Sequence, residues 1–389
     1  MNSIIAERVR GLPPSGLQKF FDLLSQLDQV LSLGLGEPDL PTPEPIRLAG
    51  IAAIQRGRVS YTSNAGALEL RLRVAAYLER RYGVHYDPEE EVLITVGVSE
   101  GLHAALLTLV NPGEEVLIPE PCFVAYAPCV RFAQGVPLFV PTRMEDGFRL
   151  QVESLAEALS PRAKVLLLNY PNNPTGAVMA REELAKVAHF VQEQGLFVIS
   201  DEIYDRFVYE GSHVCFPALP GMRERTVLLG GLSKSYAMTG WRVGYACGPR
   251  EVIQAMLKVH QHIVMSAPTI GQLGGIEALD PSRDHAREIV QAFAQRRKLV
   301  LQVLDALGLP YAHPGGAFYV FPSIQEAGLS GFAFSEQLLR EESVAVIPGE
   351  IFGPSGAGCI RIAYTLPSPQ LDEALGRFQR FTQRLLGRA

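Results

Sequence analysis

The sequence has no uninterrupted apolar run approaching the roughly eighteen residues of a membrane-spanning helix. No membrane partner is expected. Its opening stretch, MNSIIAERVRGLPPSG, holds no apolar core of the kind a secretory leader carries, so a cytoplasmic protein is expected. Cysteine is sparse: Cys122, Cys129, Cys215, Cys247 and Cys359 are scattered, with no CxxC pair. That argues against a disulfide framework and against a cysteine-held zinc, and no metal is expected. Basic charge is not in excess either. The 35 Lys and Arg are outnumbered by 41 Asp and Glu, and the formal net charge is −6. Such a chain has no electrostatic pull on nucleic acid, and any anionic ligand must be caught by local groups. Neither a GxGxxG fingerprint nor a Walker A loop is present, which removes the usual nucleotide signatures. No internal repeat or low-complexity segment occurs.

What is present is ample core material. The chain has 389 residues and is 47% hydrophobic, which suits one large domain plus a smaller one. Seven short aliphatic or β-branched runs read as buried strands of a mostly parallel sheet: 92–96, 115–118, 136–140, 164–168, 196–199, 226–229 and 243–246. Helices fall between them. After Ser99, Leu102, Ala105, Leu106, Leu109 and Val110 form one apolar stripe at helical spacing, ended by Asn111-Pro-Gly. A second helix is expected from about Arg181 to Gln194. This alternation predicts an α/β domain with helices on both faces of the sheet. The ends differ: a helix around Leu17–Leu27, another near Ala286–Leu307, strands near Ala317–Phe321, Val344–Ile347 and Cys359–Tyr364, and a final helix. The expected division is a large domain at 46–280 and a smaller α+β domain built from 1–45 and 281–389.

Ligands of open parallel sheets sit at the carboxyl ends of the strands, so the residues following each run matter most. After 196–199 comes Ser200-Asp-Glu-Ile-Tyr204. An acid there either caps the next segment or faces a cationic ring nitrogen, as a pyridinium cofactor acting as electron sink requires. After 226–229 comes Gly230-Gly-Leu-Ser-Lys-Ser-Tyr-Ala-Met-Thr-Gly-Trp-Arg242. Lys234 is either a solvated charge or an amine freed for imine formation by burial and by cationic neighbours such as Arg242. Ser233 and Arg242 are donors suited to a phosphate. Gly97-Val-Ser-Glu-Gly101 opens a helix and presents free N–H groups to an anion. Asn169-Tyr-Pro-Asn-Asn-Pro-Thr-Gly176 is a turn with more asparagine than a turn needs. Gly36-Glu-Pro-Asp39 is a further turn. Arg361 lies within an apolar strand, where it needs an internal ion pair or a ligand carboxylate.

In this order the motifs resemble the class I/II aminotransferases of pyridoxal-5′-phosphate (PLP) fold type I, over about residues 10–385. The resemblance implies a mostly parallel seven-stranded sheet between helices, with the smaller α+β domain formed by both termini. It implies that Lys234 holds PLP as a Schiff base and shuttles the substrate proton. Asp201 resembles the pyridinium partner; Tyr204 and Asn173 resemble the donors to the ring oxygen. Ser233, Arg242 and the amides of Val98, Ser99 and Glu100 are similar to the phosphate cup, and Phe123 to the stacking aromatic. Arg361 resembles the α-carboxylate clamp, with Gly36 and Asn173 beside it. Tyr61 matches a tyrosine that reaches the neighbouring subunit's phosphate, which implies a homodimer with shared sites.

The segment Pro14-Ser-Gly-Leu-Gln-Lys-Phe-Phe-Asp22 is similar to the prokaryotic aspartate and aromatic aminotransferase branch. Some aspartate enzymes of that branch carry a lysine where Ser99 and Glu100 stand. An acid facing the pocket there would oppose a dicarboxylate. Aromatic or broad neutral donors are therefore favoured over strict aspartate specificity, with aspartate still among the expected donors, 2-oxoglutarate as acceptor and ping-pong kinetics. Two rivals share the scaffold. A fold type I lyase of the cysteine-S-conjugate type also starts by removing the Cα proton. A PLP-binding regulator would need a DNA-binding domain, for which a pattern beginning near residue 15 leaves no room.

Overall fold

The computed structural model describes residues 4–12 and 29–387. The helix expected around Leu17–Leu27 and the Pro14–Asp22 segment lie outside the described residues. Seven of the strands form one sheet: β2 (Val92–Thr95), β3 (Glu115–Glu120), β4 (Val136–Pro141), β5 (Ala163–Leu168), β6 (Phe197–Asp201), β7 (Thr226–Gly231) and β8 (Gly244–Cys247). Their order is β2-β8-β7-β6-β5-β3-β4. All but β8 run the same way, and β8 is antiparallel to both of its neighbours. These are the seven runs expected from the sequence. Their continuous apolarity follows from burial on both faces: β2, β3, β7 and β8 are buried at every position, while the edge strand β4 is largely not.

Helices cover the sheet. Gly97–Leu109 packs on Arg250–Ile263 and buries Leu102, Ala105 and Leu106. It opens at Gly97, as expected of the Gly97–Gly101 segment, and Gly97 takes the left-handed φ of +69° that turns the chain out of β2. Arg181–Glu193 and Arg287–Leu307 match expectation to within a residue or so.

The chain ends meet in a second body. β1 (Leu31–Ser32) pairs in parallel with β10 (Val344–Ala345), while β11 (Ile347–Pro348), β12 (Ile360–Ala363) and β9 (Tyr319–Val320) form a three-stranded sheet. The single strand expected over 344–347 is thus divided between two sheets, since Val346 separates the two pairings. A cluster around Phe207, Phe293, Phe318, Phe334, Phe378 and Tyr364 fills this body. Rings of Phe207 and Phe318 meet edge-on at 5.2 Å, and truncating any such fully buried ring typically costs about 3–5 kcal/mol. The same cluster includes Ile203 and Tyr204. The turn after β6 is therefore clamped between the sheet and the second body.

Candidate active site

A cavity of about 340 Å³ opens where the carboxyl ends of β2, β5, β6 and β7 face the second body, and Lys234 and Arg361 both line it. Lys234 stands three residues past β7, and its Nζ donates to the carbonyl of Gly36 at 2.7 Å. Burial strips water from the ammonium and brings its pKa down to about 8; Arg361 and Arg242 act in the same direction, while Glu37 and Asp201 oppose. The lysine is thus buried beside arginines, not solvated.

Asp201 ends β6 and is 5% exposed. The Tyr126 hydroxyl donates to its Oδ2 at 2.8 Å and the Ile203 N–H to its Oδ1 at 3.2 Å. Burial raises this carboxyl to about 6 despite both donors. It therefore both caps the local turn and presents a carboxylate that a nearby cation would stabilise. The adjacent Glu202 turns away and meets His213 at 2.6 Å.

The Asn169–Gly176 turn divides its labour. Asn172 serves the turn, accepting from the Thr175 N–H at 3.1 Å and its hydroxyl at 2.8 Å. Asn169 braces the next strand end by donating to the Asp201 carbonyl at 2.9 Å. That leaves the Asn173 carboxamide for the cavity, where its Oδ1 accepts from Arg361 Nη1 at 2.8 Å.

Arg361 projects from β12, with Nη2 on the Gly34 carbonyl at 2.6 Å and its guanidinium over the rings of Tyr319 at 4.5 Å and Phe352 at 4.8 Å. Among the described residues it has no carboxylate partner, and its buried Nε has no hydrogen-bond partner. The internal ion pair left open by the sequence is therefore not what it makes. A buried, stacked guanidinium without a counter-charge has the chemistry to accept a carboxylate.

At the opposite side, Val98 and Ser99 from the start of helix Gly97–Leu109 line the cavity with Ser233 and Arg242. The N-cap residue of this helix, Val96, has no side-chain acceptor for the first-turn amides. A Cβ on Gly97 would come within 2.9 Å of Arg242 Nη2, so glycine is what lets the arginine lie against the turn. Phe123 lines the wall and meets Tyr126 edge-on at 5.6 Å. Tyr204 donates to or accepts from the Tyr319 hydroxyl at 2.8 Å.

Two of the expected residues do not line this cavity. The Glu100 side chain does not face the cavity: its Oε2 accepts the Val96 N–H at 3.1 Å and its Oε1 meets His260 Nδ1 at 3.1 Å. The electrostatic argument against a dicarboxylate that assumed a pocket-facing acid falls with it. Tyr61 is 80% exposed and outside the cavity of its own chain. Sequence reasoning missed Tyr126 and Tyr319. Tyr126 could have been sought one helical turn after Phe123; for Tyr319 the sequence carries no signal. The acid of the Gly36–Asp39 turn at Glu37 was also unassigned: it lines the cavity rim and accepts from the Thr239 hydroxyl. Asp39 is structural, held by Arg296 at 2.6 and 2.9 Å.

The pKa of Lys234 has a kinetic consequence. Only the free amine attacks an aldehyde, and it exists above about pH 8 here. The rate at which Lys234 condenses with an added aldehyde is expected to climb roughly tenfold per pH unit below 8 and level off above it. Stopped-flow absorbance from pH 6 to 10 checks this; a break near the ordinary lysine value would contradict it. Since Glu37 raises the lysine, Glu37→Gln should move the break to lower pH.

A family model for aminotransferase class I and II matches residues 28–378. The chain is 44% identical to the putative aminotransferase YugH of Bacillus subtilis, covering 99% of this chain and 100% of that one. It is 39% identical to an aspartate aminotransferase of Pyrococcus abyssi over 97% of each. The crystal structure of an aromatic aminotransferase from Pyrococcus horikoshii superposes with a TM-score of 0.90 at 40% identity, covering 94% of this chain and 99% of that one.

Proposed function

The chain belongs to the class I and II aminotransferases, and from that premise we propose that it binds PLP through Lys234 and transfers the amino group of an aromatic or other neutral L-amino acid to a 2-oxo acid. The observation that carries this reading is the meeting in one cavity of a depressed lysine, a buried carboxylate and an uncompensated arginine.

The residues suit the cofactor. Asp201, raised by burial, would regain its charge opposite a protonated ring nitrogen. The helix start, whose N-cap Val96 offers no side-chain acceptor to the first-turn amides, with Ser233, Arg242 and the close approach that Gly97 permits, suits a phosphate. Asn173 and Tyr204 would donate to the ring oxygen, and Phe123 would cover the ring face. When bound, PLP supplies an electron sink for negative charge developing at the substrate Cα.

The chain's own groups do the rest. Arg361 would hold the substrate α-carboxylate, with Asn173 and the Gly36 turn bounding that position. Lys234, released by the incoming amine, would take the proton from Cα as general base. The cavity walls Phe123, Tyr126 and Tyr204 would limit water around that proton. We further propose that Tyr61, solvated on its own chain, completes the phosphate seat of a second copy, which makes the enzyme a homodimer.

The donor preference rests on charge. The cations lining the cavity among the described residues are Lys234, Arg242 and Arg361, and each already has a role. None is left for a distal carboxylate, and the rim carries Glu37. Phenylalanine and tyrosine are therefore expected to react about tenfold faster than aspartate or more. Mixing the loaded enzyme with single amino acids and following the cofactor spectrum tests this; aspartate in first place would overturn the preference. 2-Oxoglutarate stays the acceptor proposed from the resemblance; its distal carboxylate finds no spare cation among the described residues lining this cavity, so a neutral 2-oxo acid such as phenylpyruvate should compete with it. Pyruvate and ammonia appearing from a cysteine conjugate without any acceptor would instead identify a lyase.

A further inference from the structure

Glu100 places an acid directly behind the turn read above as the phosphate seat. Its side chain is 9% exposed and faces away from the cavity. One oxygen accepts the Val96 N–H, and the other meets Nδ1 of His260. An ionised carboxylate can only accept, so that nitrogen carries the proton and donates. His260 comes from the packed helix Arg250–Ile263 and is fully buried. Its Nε2 has no partner among the described residues. The polar role left to this imidazole is its hold on Glu100.

A carboxylate in the first turn of a helix has another place to go. Free N–H groups and the positive end of the helix dipole attract it, as they attract any anion. The N-cap residue Val96 offers no side-chain acceptor to the first-turn amides of helix Gly97–Leu109, Glu100 takes only the N–H of Val96 itself, and Val98 and Ser99 face the cavity. Released from His260, the second oxygen of Glu100 could turn across the helix start onto those amides. There it would compete with an anionic ligand for the same donors and repel it.

We propose that His260 is a positioning residue that holds the Glu100 carboxylate behind the turn and so keeps the first-turn amides free for the cofactor's phosphate. This rests on the reading of that turn as the phosphate seat. The two can be separated by comparing PLP with pyridoxal, which lacks the phosphate.

The measurement is the ratio of pyridoxal to PLP dissociation constants for the cofactor-free protein, read by absorbance titration. His260→Leu is expected to lower the ratio roughly tenfold, because Glu100 then occupies the seat. His260→Gln, which keeps a donor, should stay near the wild-type ratio. The double variant His260→Leu with Glu100→Gln should recover most of the loss, since the competing charge is gone. A packing role would lower thermal stability in both leucine variants while leaving the ratio unchanged, or would leave the double variant as poor as the single; either result overturns the proposal. A wild-type protein that does not distinguish PLP from pyridoxal removes the phosphate-seat reading and the proposal together. If His260→Leu does not accumulate in folded form, His260→Met carries the same expectation.

Discussion

Lys234→Ala is expected to lower transamination by about 10⁴-fold or more, because one substitution removes both the covalent anchor and the general base. Folding should not suffer. The wild-type amine is buried, its pKa is depressed by that burial, and its single hydrogen bond goes to the Gly36 carbonyl. Removing a poorly solvated amine relieves a desolvation cost of the same kind that lowers its pKa. The thermal midpoint of the cofactor-free variant should therefore stay level or rise. Lys234→Arg is a sharper control: it keeps a cation in place but offers no amine for imine formation and no base near pH 8. Substantial turnover in either variant, with contaminating enzyme excluded, would sink the assignment of Lys234.

Arg361→Leu comes second in size. Losing one partner of a buried charge pair costs about 2–5 kcal/mol, which is roughly 30- to 5,000-fold in kcat/KM for substrates carrying an α-carboxylate. The diagnostic is a ratio. The wild-type enzyme should prefer tyrosine to tyramine strongly, and the variant should lose most of that preference, because tyramine never used the clamp. Part of any overall loss will be structural: leucine leaves Asn173 Oδ1 and the Gly34 carbonyl without their donor, at about 1–3 kcal/mol for each acceptor that stays buried and unpaired. That cost falls on both substrates alike and cancels in the ratio. Arg361→Lys should recover little, since an ammonium cannot grip a carboxylate with two parallel bonds or stack between the Tyr319 and Phe352 rings. An unchanged tyrosine-to-tyramine ratio in Arg361→Leu would show that the carboxylate is held elsewhere.

Both predictions concern residues that were legible before any fold was known, and the reason is local. Strands buried on both faces must be apolar at consecutive positions, so the central strands of the large sheet could be read from short runs, and the largely unburied edge strand β4 shares the same apolar pattern. Ligands gather at the carboxyl ends of such strands, so the polar residues following those runs became the candidates. Gly36, Val98, Ser99, Phe123, Asn173, Asp201, Tyr204, Ser233, Lys234, Arg242 and Arg361 all line one cavity.

What the chain alone did not reveal depends on contacts between distant segments. Spatial strand order and the reversed direction of β8 are set by pairing partners far apart in sequence. The split of residues 344–348 between two sheets depends on Leu31 and Arg361 as pairing partners, not on local propensity. Tyr126 and Tyr319 matter because of Asp201 and Tyr204, which lie 75 and 115 positions away. Glu100 is the clearest case. Its place at a helix start is written in the residues around it, and an acid there is equally able to face the ligand or turn its back. Helix periodicity does not choose between the two. The choice was made by His260, 160 residues later, which lies opposite Glu100 only because two helices pack on the same face of the sheet. The sequence by itself determined which residues could do this chemistry, through short-range patterning and turn composition. Only the tertiary structure decided which way each one points, because direction follows from the partner that packing brings within hydrogen-bond reach.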